Sequence, residues 1–235
     1  MSTSKEQFSL SVALVVKSAF DDGILEDFIK ETGIEPFIDW APTTVIVDAI
    51  SQGAQPDGVI ITDGALSGLV VDTLVDAATV TPLVVSKVGV GVLKGTPLPD
   101  ISTVDAFKTA LLGARSVAYS MGGQSGLYFA PLLERLGIAD EVNARATRIP
   151  AGFSAEKLKT GEADLAVQQI SELLAIEGTQ IVGPFPEEIQ KVTSFSGAAL
   201  TESRQKEHVQ AFLSFLRRKT STDSFTKFGL ALSDI

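Results

Sequence analysis

Short apolar runs alternate with amphipathic helical segments along almost the whole chain, and this alternation constrains the fold more than any other feature. Runs such as 8–16 (FSLSVALVV) and 57–62 (DGVIIT) are typical of buried strands. The segment 23–33 (GILEDFIKETG) instead repeats apolar residues at helical spacing and ends in glycine. Strands and helices in regular succession predict an α/β fold, in which helices cover both faces of a parallel sheet.

The same succession continues through the rest of the sequence. Further strands are predicted at 35–40, 115–120, 144–150, 164–169 and 179–186, and further helices at 42–53, 64–78, 102–113, directly after the turn 122–126, 154–163 and about 202–219. Two β-rich stretches, 79–95 and 191–200, contain no helical pattern and suit extended chain that leaves one sheet and enters another. We therefore expect two lobes joined by two crossing strands, with residues 1–83 and 196–235 in the first lobe and residues 84–195 in the second.

The charge and the residue types that are missing exclude several classes of function. The formal net charge is −10, so the surface repels nucleic acid, and we expect no nucleic-acid partner. The chain has no cysteine, which excludes disulfides, thiolate nucleophiles and cysteine metal sites. Its single histidine, His208, is predicted on the solvated face of a helix and cannot by itself build a metal site or a hydrolase triad. We expect neither a metal nor a cofactor.

The amino-terminal segment 1–7 (MSTSKEQ) is where a secretory signal would indicate the cellular location of the protein. It lacks the positive-then-apolar order of a secretory signal, and the apolar run 11–16 that follows is too short to span a membrane. We therefore expect a cytoplasmic protein for the sequence as written, and a periplasmic one if the sequence begins after a removed signal.

The candidate binding residues are those that follow the predicted strands, because ligands of parallel sheets bind beyond the carboxyl ends of the strands. They are Lys17, Ser18, Thr43, Thr44 and Asp63 in the first lobe, and Gln124, Ser125, Arg148 and Gln168 in the second. Hydroxyl and amide groups dominate this set. Helix starts add unpaired N–H groups and the positive end of a dipole. The combination predicts a hydrogen-bonding cage for a small anion.

Each candidate also has a structural alternative. Thr43 and Ser125 are residue types that commonly cap helices. Gly122 and Gly123 suit a simple turn, and they match neither a Walker loop nor a dinucleotide fingerprint. Arg148 could pair with a ligand carboxylate or could be an exposed cation at a strand end.

The order of these segments resembles the type II periplasmic binding proteins, in particular the molybdate-binding-protein-like group. The resemblance is carried by SLSVALVVKSAFDDGILEDFIKETGI, AISQGAQPDGVIITDGAL, KLKTGEADLAVQQ and HVQAFLSFLRRKTSTDSFTKFGL. It implies two Rossmann-like α/β lobes with a central cleft, hinge closure around the ligand, and a monomer. It also implies oxyanion contacts from Ser18, Thr43 or Thr44, Ser125 and the region of Gln168. If the protein is exported, the implied partner is an ABC transporter permease.

Lys17 and the pair Gln168–Gln169 depart from the molybdate binders and suit a carboxylate with additional polar groups. The segments 120–144 and 167–196 are also similar to a subgroup that includes aconitate isomerases. Two functions remain open: a binding protein for a small anion, or an isomerase that moves a double bond within a small polycarboxylate. The isomerase would need groups that move a proton, and Lys17, Asp63, Tyr119 or Ser125 could supply them. A regulator that binds an effector is a third, weaker alternative.

Overall fold

The computed structural model describes residues 6–233, so residues 1–5 of the amino-terminal segment considered above lie outside the described residues. The chain forms two compact units, which we call unit 1 (Met1–Val85 with Thr193–Ile235) and unit 2 (Ser86–Val192). Unit 1 is therefore built from two separate parts of the sequence, and the chain passes between the units twice.

Strands and helices alternate as the sequence predicted, and the α/β class is confirmed. In chain order the strands are β1 (Gln7–Val12), β2 (Glu35–Trp40), β3 (Gly58–Thr62), β4 (Thr81–Leu93), β5 (Val117–Ser120), β6 (Thr147–Ile149), β7 (Leu165–Gln169), β8 (Thr179–Pro184), β9 (Val192–Ala199) and β10 (Ala231–Leu232). The α-helices are α1 (Lys17–Ala19), α2 (Leu25–Thr32), α3 (Thr43–Ser51), α4 (Asp63–Val71), α5 (Val104–Gly113), α6 (Gln124–Arg135), α7 (Ala139–Asn143), α8 (Glu156–Lys159), α9 (Ile170–Leu174), α10 (Lys206–Leu216) and α11 (Lys219–Lys227).

Unit 1 is organised around three parallel strands with β1 in the middle. β1 pairs with β2 on one side and with β3 on the other, both in parallel. β9 then pairs antiparallel with β3. The connections from β1 to β2 and from β2 to β3 run in opposite directions across the sheet. This reversal places a topological switch point at the carboxyl ends of β1 and β3.

Unit 2 repeats this arrangement. β5 is its central strand and pairs in parallel with β6 on one side and with β7 on the other. The part of β4 that lies in unit 2 pairs antiparallel with β7 and with β8. The corresponding switch point of unit 2 therefore lies at the carboxyl ends of β5 and β7.

Each unit has its own apolar core. In unit 1 an aromatic cluster joins the sheet to its helices, with the rings of Phe28 and Phe212 at a centroid distance of 4.9 Å. In unit 2 the rings of Tyr119 and Phe129 pack edge to face at 5.2 Å. The full burial of these rings supplies much of the free energy that holds helices to sheets, at about 25 cal/mol per Å² of apolar surface.

Several predicted boundaries were wrong because burial does not by itself distinguish a strand from a helix. The first strand ends at Val12 rather than at residue 16, since Leu14–Val16 are apolar but form a 3-10 turn. The helix predicted at 64–78 ends at Val71, and Thr73 follows with a φ of 60°. The helix predicted at 202–219 is α10, which is shorter, and α11 begins at Lys219.

His208 is not on a fully solvated face as predicted. Its side chain is 22% exposed and its ring lies 6.3 Å from the ring of Phe8. Within residues 6–233 no helix has the length and apolar character needed to cross a membrane.

Candidate functional site

The turn between β5 and α6 is held by hydrogen bonds to the neighbouring strand end in unit 2. The Met121 N–H donates to the Ile149 carbonyl at 2.7 Å, and the Gly122 N–H donates to the Pro150 carbonyl at 3.1 Å. The Ser120 hydroxyl accepts a hydrogen bond from the Gly123 N–H at 3.2 Å. This turn therefore has a fixed shape, with the start of α6 directly after it.

Gly126 allows α6 to begin in contact with the end of β5. A Cβ atom at Gly126 would lie 1.5 Å from the carbonyl oxygen of Ser120, a distance that no side chain can occupy. A Cβ at Gly122 would lie 2.9 Å from the Pro150 carbonyl. Glycine is thus required here by the close approach of two backbone segments, and the first turn of α6 is placed at the carboxyl edge of the sheet.

The helices that follow β2 and β5 start without a side-chain cap. Pro42 is the N-cap of α3 and Gly123 is the N-cap of α6, and neither provides a capping hydrogen bond. The Thr103 hydroxyl caps α5, whereas α4, α9 and α10 also begin without a side-chain cap. The first N–H groups of a helix have no acceptor within the helix. The positive dipole ends of α3 and α6 therefore lie at the carboxyl edges of their parallel strands.

Thr43 and Ser125 do not serve as helix caps, so that structural alternative is wrong. Thr43 is the first residue of α3 and is 4% exposed, whereas Ser125 is the second residue of α6 and is 1% exposed. Each places a buried hydroxyl in the first turn of an uncapped helix. Thr44 and Gln124 lie beside them in the same first turns.

Lys17 lies at the same edge of unit 1, at the start of α1. Its Nζ is 2.8 Å from an Asp21 carboxylate oxygen and 5.1 Å from the centroid of the Trp40 ring. Because β1 ends at Val12, Lys17 and Ser18 lie one short turn beyond the strand end rather than directly after it. Ser18 is buried.

Asp63 opens α4 at the carboxyl end of β3. Its Oδ1 accepts a hydrogen bond from the Ser196 hydroxyl at 2.7 Å. A carboxylate in the first turn also interacts favourably with the helix dipole. Asp63 thus already has a structural partner, although its position at the switch point of unit 1 is the one expected for a functional residue.

Gln168 connects three parts of unit 2. Its Oε1 accepts hydrogen bonds from the Ser154 N–H at 2.7 Å and from the Ser154 hydroxyl at 3.0 Å. Its Nε2 donates to the Gly152 carbonyl at 2.9 Å. The amide therefore fixes the loop 150–155 against the end of β7. These contacts support a bracing role for Gln168, and direct contact with a ligand stays a prediction.

Glu172 was not among the sequence candidates, and it has the most perturbed carboxyl group at this edge. Burial raises the pKa of Glu172 to about 7, and hydrogen bonds from the Gln169 backbone and the Gln168 side chain oppose the rise. Gln169 is the N-cap of α9 and Glu172 is its third residue, which is the spacing of a capping box. A glutamine is not a favoured N-cap, so the sequence provided no strong signal.

Tyr119 and Arg148 occupy a different part of unit 2. Tyr119 is 1% exposed and its hydroxyl donates to the Asn143 Oδ1 at 2.7 Å. Burial raises the pKa of Tyr119, and the guanidinium of Arg148 partly opposes this rise. Tyr119 of β5 and Arg148 of β6 are register partners in adjacent parallel strands. Their side chains therefore lie on the same face of the unit 2 sheet. A role for Arg148 in binding stays a prediction.

The candidates thus fall into one group in each unit. In unit 1 the carboxyl edge carries Lys17, Ser18, Thr43, Thr44 and Asp63; in unit 2 it carries Gln124, Ser125, Gln168 and Glu172. Within residues 6–233 no group of three or more acidic or histidine side chains could hold a metal ion.

Known proteins share this architecture. A family model described as bacterial extracellular solute-binding protein matches residues 10–231. Aconitate isomerase from Pseudomonas sp is 35% identical over 207 residues, which cover 86% of this chain and 79% of that relative. Molybdate-binding protein ModA from Escherichia coli (strain K12) is 25% identical over 232 residues, covering 96% and 89%. The periplasmic molybdate-binding protein of Azotobacter vinelandii has a TM-score of 0.81 and 17% identity, over 97% of this chain and 100% of that one. These similarities confirm the fold that the sequence predicted.

Proposed function

Because the chain belongs to the family of bacterial extracellular solute-binding proteins, we propose that it captures a small carboxylate anion through helix starts at the carboxyl edge of its parallel strands. The observation that carries this proposal is a buried hydroxyl in the first turn of each of these helices, Thr43 in α3 and Ser125 in α6, at a start that no side chain caps.

Electrostatics at the two helix starts favour an anion despite the acidic surface. The net charge of −10 is a property of the whole chain, whereas the dipole ends and N–H groups act within one helical turn. A hydrogen bond to a charged group contributes about 1.5–3 kcal/mol net. A few such bonds suffice for a dissociation constant in the micromolar range, which corresponds to about 8 kcal/mol.

A carboxylate fits the described residues better than a metal oxyanion. Lys17 adds an ammonium group beside the Trp40 ring at the edge of unit 1. Lys17 and the start of α3 can each take one carboxylate of a ligand with several such groups, with Lys17 exchanging its Asp21 partner for the ligand. The relative with the higher sequence identity is also the one named for a tricarboxylate, aconitate, rather than for molybdate. When the protein is exported, an ABC transporter permease is the proposed partner.

Isothermal titration calorimetry at one ionic strength tests the proposal. Separate titrations with trans-aconitate, cis-aconitate, molybdate and sulfate should give micromolar affinity for a carboxylate and weaker binding of the two inorganic anions. Tight binding of molybdate with no response to either aconitate would contradict the carboxylate assignment. No binding of any of the four anions would contradict the proposal as a whole.

A second candidate function is isomerisation of a small unsaturated polycarboxylate. The 35% identity with aconitate isomerase favours it, and so does a carboxyl group with a pKa of about 7 at Glu172, since such a group can both take and return a proton near neutral pH. Incubation with trans-aconitate and with cis-aconitate, followed by ultraviolet absorbance and proton NMR, tests this function. An unchanged spectrum at high protein concentration excludes aconitate as its substrate.

A further inference from the structure

Lys17 and Asp21 form an ion pair at the carboxyl edge of unit 1. The Lys17 Nζ lies 2.8 Å from an Asp21 carboxylate oxygen, and the two side chains are 31% and 57% exposed. Lys17 opens α1, and Asp21 lies four residues later, in the π-helical turn Phe20–Ile24. Helical spacing of this kind brings the two side chains together. Asp21 therefore already holds the ammonium group that the proposed function assigns to a ligand carboxylate.

The neighbouring residue Asp22 has different partners. Its carboxylate accepts hydrogen bonds from the Lys227 ammonium group and from the Ser224 hydroxyl, both on α11. The hydrogen bond from Lys227 is the main cause that holds the pKa of Asp22 below its ordinary value. Asp22 thus ties the turn to α11, whereas the contact of Asp21 with Lys17 joins residues only four positions apart. An exposed ion pair of this kind contributes little to folding stability. Asp21 can therefore release Lys17 without loss of the fold.

The ammonium group of Lys17 lies over the residue that ends β2, shortly before α3 begins. Its Nζ is 5.1 Å from the centroid of the Trp40 ring, a distance at which a cation and an aromatic ring attract each other. Trp40 is the last residue of β2, and Thr43 begins α3 three residues later. The Trp40 ring also packs edge to face on Phe20 at 5.6 Å, which fixes the position of the indole. The ammonium group and the start of α3 are thus separated by one side chain and two linking residues.

We propose that Asp21 is an intramolecular competitor of the ligand that regulates the affinity of the carboxylate site, an inference that rests on the proposed function. The Asp21 carboxylate neutralises the Lys17 ammonium group, so a ligand carboxylate must displace it. The displaced Asp21, which is more than half exposed, then turns to water. A ligand with two or more carboxylates therefore binds less tightly than Lys17 alone would allow, and it is released more readily. A solute-binding protein benefits from this limit, because it must also give up its ligand.

The test is a double-mutant cycle on Lys17 and Asp21, with trans-aconitate as the probe and calorimetry at one ionic strength as the measurement. The variants are Asp21→Asn, Lys17→Met and the variant with both changes. Asp27→Asn is the matched control, because Asp27 is an exposed aspartate of the same unit, in the first turn of α2. Circular dichroism verifies folding. The emission of Trp40, the single tryptophan of the sequence, is a second readout, because Lys17 lies over its ring.

D21N should bind trans-aconitate about twofold to fivefold more tightly than the wild type, the range that an exposed ion pair allows, and D27N should match the wild type. K17M should bind more weakly, and adding D21N to it should have no effect. Binding to the wild type should change the emission of Trp40.

Equal affinities of D21N and the wild type would overturn this inference alone. An equal gain from D21N in the K17M background would also overturn it, since a gain without Lys17 reflects general charge repulsion. Binding to the wild type without a change in Trp40 emission would place the ligand away from Lys17 and would have the same consequence. A wild type that does not bind trans-aconitate would overturn the carboxylate assignment and this inference with it.

Discussion

Gly126 lies against Ser120 so closely that a Cβ atom on Gly126 would be 1.5 Å from the Ser120 carbonyl oxygen. This contact joins the third residue of α6 to the last residue of β5. The start of α6 is thereby brought to the carboxyl edge of the sheet.

Substitution of Gly126 by alanine should destabilise unit 2 strongly, because α6 must move away from β5 to make room for a methyl group. We expect a loss of about 3 kcal/mol in the free energy of unfolding, measured by urea denaturation followed by circular dichroism. Gly113→Ala is the control, since Gly113 also lies in a helix and a Cβ there meets no atom within 4 Å. Equal stability of the two variants would contradict the close contact.

Substitution of Gln168 by alanine should release the loop 150–155. The change leaves the backbone N–H of the fully buried Ser154 without its acceptor, while the Ser154 hydroxyl keeps the Val167 carbonyl, and removal of a partner from a buried polar group costs about 1–3 kcal/mol. We expect a loss of stability in this range and faster amide exchange at Gly152 and Ser154, measured by hydrogen exchange. Gln55→Ala, at an exposed site, should change neither quantity. Unaltered exchange in the loop would show that Gln168 is not its brace.

The buried hydroxyls of Thr43 and Ser125 should contribute to anion binding. Thr43→Val and Ser125→Ala each remove one hydroxyl from an uncapped helix start, and each should weaken carboxylate binding about fivefold to tenfold, measured by calorimetry. The exposed hydroxyl residues Ser67 and Thr109 provide the controls Ser67→Ala and Thr109→Ala. If neither variant lost affinity relative to its control, a role for these two helix starts in binding would be disproved.

The stability difference between Glu172→Gln and the wild type should depend on pH. The pKa of Glu172 is about 7 in the folded state and the ordinary value is 4.5, so the folded state binds this proton more tightly. The carboxyl therefore reduces stability progressively as the pH rises from about 4.5 through about 7. The full shift corresponds to roughly 3 kcal/mol, but the side chain is only half-buried and solvent screens part of it. Since glutamine remains uncharged, E172Q should be more stable than the wild type by about 1–2 kcal/mol at pH 8 and nearly equal to it at pH 5.

Urea denaturation at the two pH values measures this difference, with Glu177→Gln as the control at an exposed site. The control should differ little from the wild type at both pH values. A stability difference for E172Q that is the same at pH 5 and pH 8 would show that Glu172 does not titrate in this range.

The local sequence pattern was sufficient to predict the order of the strands and helices and the glycine-rich turn between β5 and α6. The alternation of apolar runs with helical periodicity depends only on neighbouring residues, and it predicted the α/β class and most strands. The boundaries were less certain. The buried residues Val15 and Val16 continue the apolar run of β1 although they lie in a 3-10 turn, so their hydrophobicity could not mark the end of the strand.

The positions of Lys17, Thr43, Asp63 and Ser125 at sheet edges followed from the sequence, because a residue after a parallel strand lies at its carboxyl end. The partners of these residues did not follow. Ser196 reaches Asp63 across 133 positions of sequence, a separation over which no local pattern operates.

The sequence by itself determined which elements form, in what order, and which turns carry hydrogen-bond donors, since these depend on short-range periodicity and on the backbone freedom of glycine. The tertiary structure alone decided that Gly126 must be a glycine, that Gln168 braces a loop, and that Glu172 has a raised pKa. The physical reason is that close approach, hydrogen-bond partners and desolvation arise from the register of β5, β6 and β7, which brings together segments distant in the chain.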